Sequence, residues 1–327
     1  LRLLISLGGG LLAAHWLAGL SWSLAAVFSA IVLATGPTVV TPLVRQIRLA
    51  PPLGEVLEAE GLVLEPIGAV LALLLLELAL GNLHGWREVM LGLLYRLGGG
   101  VLIGASVGWL LSEVLRRLNP DQLKGLPLQL SLGLLFLMYG VSEWLLPESA
   151  LPASVAAGIV VGRRPGPHTA ELDGLIQELA QLAITMLFPL LAADVSWAEL
   201  SPLGWGGILC VMSLMLVVRP IGVGVATMGL PFNFEQRLFL GWLAPRGIVT
   251  ASVASLFAIR LEQAGILGAG RLQGLVFLTI LMTVGLQGLT AQPLAQALGL
   301  VKVDDVEPVS AEAAAQPRQV LTDSGQQ

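Results

Sequence analysis

The chain has 327 residues, of which 55% are hydrophobic and only 12% charged, against roughly 25% charged in soluble domains. Together with a mean hydropathy of +0.84, that balance excludes a soluble globular domain and points to an integral membrane protein. The formal net charge of −5 gives no sign of a nucleic-acid partner, and a single cysteine, Cys210, excludes an internal disulfide.

Ten apolar segments reach or approach the ~20 residues that a membrane-spanning helix needs. They lie at about 3–20, 23–44, 56–80, 89–111, 127–146, 151–162, 174–195, 203–228, 236–260 and 272–298. The segment 151–162 is short and reads as tilted or re-entrant. No alternation of period two suggests a barrel. Leu1 opens directly into apolar sequence, with no initiator methionine and no signal-peptide n-region, so the expectation is a chain truncated at its N-terminus.

In the second segment the run Ala34-Thr35-Gly36-Pro37 interrupts the helix. Proline has no N–H and clashes one turn back, so Pro37 frees the carbonyl of Leu33. The third segment sets Glu60 and Glu65 in an apolar run that continues to Leu76, which puts Glu65 near the middle of a hydrophobic helix. An acid at that depth costs ~2.5–3.5 kcal/mol on insertion scales and is by default a functional candidate. Pro66 frees the carbonyl of Leu62 one turn away, and a carboxylate beside a freed carbonyl can bind a small cation. Gly100, Gly104 and Gly108 in the fourth segment are spaced for close helix packing. Glu77, Glu143 and Asp194 fall near span ends and read as interfacial, and His15, His84 and His168 do not cluster.

Arg96, Arg219 and Arg246 stand at apolar depth. In the ninth segment Ala244-Pro245-Arg246-Gly247 repeats the interruption, with Pro245 freeing the carbonyl of Gly241. The two breaks hold matching places, each in the middle helix of a three-helix group, and the second group should be inserted upside down relative to the first. Interrupted segments at corresponding positions of inverted halves point to a secondary-transporter site.

The remaining cations orient the bundle. Arg2, Arg45, Arg48, Arg116, Arg117, Lys124, Arg163, Arg164, Arg237, Lys302 and Arg318 fall on one side, and Arg87, Arg260 and Arg271 on the other. That bias places the C-terminus in the cytoplasm. Residues 1–300 then form a transmembrane domain, and 301–327 a cytoplasmic tail without apolar periodicity that reads as disordered.

In this order, the pieces resemble the monovalent cation:proton antiporter superfamily, and most nearly its bacterial NhaP-like sodium/proton antiporters, over roughly residues 1–300. Thr35-Gly36-Pro37 is similar to the family's Thr-Asp-Pro break, and Glu60-Gly61-Leu62-Val63-Leu64-Glu65 to its Glu-Ser-x-x-Asn-Asp helix. Leu243-Ala244-Pro245-Arg246-Gly247 is similar to the Gly-Leu-Arg-Gly crossing helix. Val217-Val218-Arg219-Pro220-Ile221-Gly222 resembles the preceding helix, whose arginine pairs with the motif glutamate, and 276–293 resembles the last helix. The chain departs from the pattern at Gly36, where the family has Asp, at Leu64 for Asn, and at Glu65 for Asp.

The resemblance implies an all-α integral membrane fold of about ten transmembrane segments, with inverted repeats and two discontinuous crossing helices. It implies exchange of Na⁺, or K⁺ or Li⁺, for H⁺ at the plasma (inner) membrane, with no cofactor and no enzymatic step. Glu65, Thr35 and Glu60 would form the ion and proton site, with Na⁺ at Glu65. Arg219 would pair with Glu60, and Arg246 would balance half-helix C-terminal charge. Gly36, Pro37, Pro66 and Pro245 would shape the breaks. By the same resemblance about three N-terminal helices, often used for dimer contact, lie outside this chain, so a homodimer in the lipid bilayer is implied. Two rivals stand beside this reading: a potassium efflux antiporter of the sister branch, and a transport-inactive relative acting as scaffold or sensor, which Gly36 and Leu64 make credible. An intramembrane enzyme is the remote third, because no nucleophile–base pair, phosphate loop or metal-ligand cluster appears.

Overall fold

The computed structural model describes residues 1–117, 125–164, 169–193 and 200–301. Lys124, His168, Asp194, Lys302, Arg318 and the tail lie outside the described residues. Among those residues the fold is all-α, and the one β feature is an isolated bridge between Leu49 and Val301.

Chain order runs α1 (Arg2–Trp16), α2 (Trp22–Leu33), α3 (Pro37–Ile47), α4 (Leu53–Ala79), α5 (Trp86–Arg117), α6 (Leu126–Leu145), α7 (Ala150–Gly162) and α8 (Thr169–Ala193). The second half holds α9 (Gly204–Ser213), α10 (Arg219–Ala226), α11 (Phe234–Trp242), α12 (Ile248–Gln263), α13 (Ala269–Met282) and α14 (Gly288–Ala297). A π turn joins α9 to α10 over Leu214–Val218, and another joins α13 to α14 over Thr283–Gln287. Both broken segments appear where the prolines predict them. α2 stops at Leu33 and Pro37 opens α3 at its first position, where a missing N–H costs nothing. α11 stops at Trp242, and the chain stays non-helical until Ile248 opens α12.

Six stretches of the described residues are long and apolar enough to cross a membrane: Trp22–Ile47, Leu53–Ala79, Trp86–Arg117, Leu126–Leu145, Ser201–Ala226 and Ala269–Ala297. The other four expected segments appear as α1, α7, α8 and the split pair α11 and α12. α4 passes through Pro66 without interruption.

Packing forms three apolar clusters among the described residues, and α5 joins the largest through Val89, Leu93 and Leu97. The first three and last three spans share a large apolar core around Phe28, Val70, Leu76, Phe257, Leu272 and Leu275. A second cluster around Phe239, Leu243, Leu53 and Leu57 ties α3 and α11 to the start of α4. α5, α6 and α7 make a cluster of their own, where Met138, Ala153 and Ala157 meet Ile103 and Val107. The α5–α7 contact is a small-residue seam. A Cβ on Gly100 would lie 2.6 Å from the Ser149 carbonyl oxygen, one on Gly108 2.7 Å from that of Ala157, and one on Gly104 would overlap that of Ala153. The four-residue spacing on each helix aligns these contacts, and close backbone approach replaces the hydrophobic driving force that lipid removes.

Candidate functional site

The two broken helices meet at their breaks. A Cβ built on Gly36 would lie 2.5 Å from Cα of Gly247, and one on Gly247 would lie 2.9 Å from Cα of Gly36. The two backbones therefore cross in contact, with no room for a side chain. α4 lies along the first break. A Cβ on Gly61 would sit 3.1 Å from the Thr35 carbonyl oxygen, and one on Gly68 3.1 Å from that of Ala30. Gly61, Glu65 and Gly68 share one helix face at i, i+4 and i+7, so two backbone contacts bracket the Glu65 side chain and hold it at the crossing.

A helix that stops inside a membrane leaves carbonyls without partners and a partial negative charge at its end. At both stops a guanidinium supplies the donors. Arg246, from the second break, donates from Nη1 to the carbonyl of Ala34 at the end of α2, at 3.1 Å. Arg219 donates from Nε to the carbonyl of Leu240 at 3.2 Å and from Nη2 to that of Leu243 at 2.9 Å, closing the end of α11. The second break is also pinned from the last span. Gln287 Oε1 accepts from the N–H of Ala244 at 3.0 Å, and Thr283 Oγ1 accepts from that of Arg246 at 3.3 Å. Thr283 and Gln287 bound the π turn, and the other π turn ends directly before Arg219. Local π geometry of this kind recurs at functional sites.

Glu60 and Arg219 form a buried ion pair with two contacts, Nη1 to Oε1 at 2.5 Å and Nη2 to Oε2 at 3.1 Å. Arg2 also pairs with Glu60 Oε1. Arg2 was expected as a cytoplasmic loop cation; it stands instead on α1 with its side chain 19% exposed, because α1 packs beside α10 and brings it to the carboxylate. Of the expected site residues, Thr35 and Glu60 meet directly: the Thr35 hydroxyl donates to Glu60 Oε1 at 3.5 Å. Arg2, Arg219 and Arg246 line one cavity of ≈ 20 Å³, enough for about one water molecule.

Glu65 stands apart from this charge cluster. It is 7% exposed, and its Oε1 is buried without a hydrogen-bond partner. It lines a cavity of ≈ 10 Å³ together with Ile31, Ala34, Ala69, Val249, Thr250 and Val253. The cavity thus touches the end of α2 and the start of α12, one wall from each broken segment. The sequence reading missed Arg2, Thr283, Gln287 and Thr250. For Thr283 and Gln287 a signal was available: Thr279, Thr283 and Gln287 are polar residues four apart on the last span, and all three are buried.

A family profile described as sodium/hydrogen exchanger, transmembrane, matches residues 1–297. Among curated proteins, the chain is 26% identical over 297 residues to a probable Na⁺/H⁺ antiporter 2 of Methanocaldococcus jannaschii, covering 83% of this chain and 69% of that one. It is also 26% identical over 300 residues to a K⁺/H⁺ antiporter NhaP2 of a Shewanella species, covering 89% of this chain and 50% of the relative. Among solved structures it superposes on the sodium proton antiporter MjNhaP1 of Methanocaldococcus jannaschii with a TM-score of 0.78 at 23% identity. That match covers 91% of this chain and 76% of the antiporter, and it shows a shared fold.

Proposed function

Because this chain belongs to the sodium/hydrogen exchanger family of transmembrane proteins, we propose that it is a secondary active transporter exchanging Na⁺ for H⁺ by alternating access at one buried carboxylate, Glu65. The observation that carries this reading is the Glu65 oxygen, buried and unpartnered, in a cavity bounded by both broken segments. A bare carboxylate in an apolar cavity is costly, and either a proton or a monovalent cation neutralises it. Occupancy by one excludes the other, which is the coupling that exchange requires.

Glu60 serves this site by holding shape. Its bidentate pair with Arg219 ties α4 to α10 while Arg219 closes the end of α11. Breaking such a pair from one side costs ~3–5 kcal/mol, because the remaining charge is left buried and unpaired. Thr35 steadies Glu60, and Arg246 offsets the negative end of α2 beside the cavity when no cation is present. Gly36, Pro37 and Pro245 keep both segments non-helical at the crossing, and Pro66 follows the acid within α4. Residues 1–300 form the transporting domain, with 301–327 as a cytoplasmic tail, in the plasma (inner) membrane. A homodimer within the lipid bilayer completes the proposed assembly. K⁺ is the second candidate ion, favoured by the relatives named K⁺/H⁺ antiporters.

Glu65→Gln keeps the side-chain shape and removes the titrating charge. Cation-dependent proton release from everted vesicles should fall to background, with expression unchanged. Full activity in that variant would remove Glu65 from the mechanism. A folded wild-type chain with no flux under Na⁺, K⁺ or Li⁺ would favour the transport-inactive scaffold or sensor instead.

A further inference from the structure

Thr250 is one of three residues, with Thr38 and Ser142, whose buried hydroxyl oxygen has no hydrogen-bond partner among the described residues. Thr227, Thr279, Thr283 and Thr290 each donate to the carbonyl four residues earlier, at 2.6 to 2.8 Å. That habit satisfies a hydroxyl inside a membrane helix at little cost. For Thr250 the residue four earlier is Arg246, which lies in the break, two positions before α12 begins at Ile248. No helical carbonyl stands there to take its proton. Its Oγ1 is buried and has no hydrogen-bond partner, and the residue is 2% exposed.

Thr250 and Glu65, whose Oε1 is also unpartnered, line one small cavity, and the other lining side chains, Ile31, Ala34, Ala69, Val249 and Val253, are hydrocarbon. Two residues with buried, unpartnered oxygens on one small apolar cavity leave a place that a cation with oxygen preference would fill. Thr35, Gly36 and Leu64 do not supply that neutral oxygen. Thr35 is engaged by Glu60, and the other two have no polar side chain.

Building on the assignment of Glu65 as the exchange carboxylate, we propose that Thr250 is the neutral ligand of that site. Its Oγ1 lone pairs replace part of the hydration shell of a monovalent cation held on Glu65, and so set cation affinity and choice. Thr250 moves no proton in this scheme. It is a specificity-determining residue contributed by the second broken helix; Thr38, the unpartnered hydroxyl of the first broken segment, does not line this cavity.

Equilibrium binding of radioactive Na⁺ to the purified 327-residue chain tests this without relying on transport, with K⁺ run as competitor. Thr250→Val keeps the volume and removes only the oxygen, and it should weaken cation binding by about tenfold, the scale of one modest polar contact. Thr250→Ser retains the oxygen and should stay within about threefold of wild type. Glu65→Gln should show no saturable binding. Melting curves identify any variant that has lost its fold, and if Thr250→Val is one, Thr250→Ala, which also lacks the oxygen, carries the same test. Wild-type affinity in Thr250→Val, with binding lost in Glu65→Gln, would reject Thr250 and keep Glu65. Unchanged binding in Glu65→Gln, or none in wild type, would reject the site itself.

Discussion

Gly36 shows how one residue type can be dictated by a backbone crossing. The resemblance leads to an aspartate at this position, yet a side chain there meets Cα of Gly247 at 2.5 Å and its nitrogen at 2.7 Å. Both obstacles are backbone, so the crossing itself must open. Gly36→Ala should cost ~1–3 kcal/mol, the usual penalty of overpacking, and Gly36→Asp at least as much. Melting of the purified variants checks this, and unchanged midpoints would mean that the two breaks part freely. Glu148 shows a different constraint. It lies in the loop between α6 and α7 at φ 64, with its N–H donating to Glu143 Oε1 at 2.9 Å. Burial pushes its carboxyl up to about 7, with the charge of Glu143 adding and Arg260 and Arg96 opposing. A raised folded value means that its stabilising share is complete below 4.5 and is lost as pH rises through about 7. Glu148→Gln is neutral throughout. Its melting temperature should match wild type near pH 4.5 and exceed it above about 7 by roughly 1–2 °C, the shift about 1 kcal/mol gives in a chain of this size. A variant that melts lower than wild type above that pH would show that the arginines dominate.

At the scale of elements, the half-helix ends that meet at the breaks are held by long-range donors and acceptors, whereas the outer ends of α2 and α11 carry local caps at Ser21 and Asn233. Neither α3 nor α12 has a side-chain N-cap, and the ends of α2 and α11 are closed by Arg246 and Arg219. The breaks therefore persist only while the surrounding spans are in place. The α5–α7 seam depends on small residues in the same way. Gly104 faces the Ala153 carbonyl so closely that no Cβ fits. Gly104→Val should separate these two helices and lower the yield of folded protein in detergent severalfold, through overpacking of ~1–3 kcal/mol. Gly98→Val, on the same helix but with nothing near its Cβ, should behave as wild type. Equal loss in both would point to helix propensity rather than to the seam.

For the whole molecule, one core joins the spans that carry both breaks and Glu65, and α5 enters it through Val89, Leu93 and Leu97 while its Ile103 and Val107 pack on α6 and α7. The alternation of spans across the membrane is tested by cysteine labelling in a Cys210→Ser background. Arg163→Cys, at the exposed end of α7, should react only from the cytoplasm, and Leu267→Cys, 93% exposed between α12 and α13, only from outside. Both residues reacting from the same face would overturn the alternation of spans.

Much of this was legible in the sequence. Apolar length specifies spans because lipid offers no partner to an open backbone, and proline ends helices by local sterics, which is why the breaks at Pro37 and Pro245 and the deep acids could be located by eye. The small-residue spacing of α5 was equally plain. What tertiary structure alone decided is which oxygen faces which charge. Arg2 joined the Glu60 pair because α1 packs beside α10, not because of anything near residue 2. Thr35 donates to Glu60, and Thr250 lines the cavity of Glu65 from 185 positions later in the chain. A side chain's partner within a span depends on rotation about the helix axis, and that rotation is set by what the neighbouring helices bury.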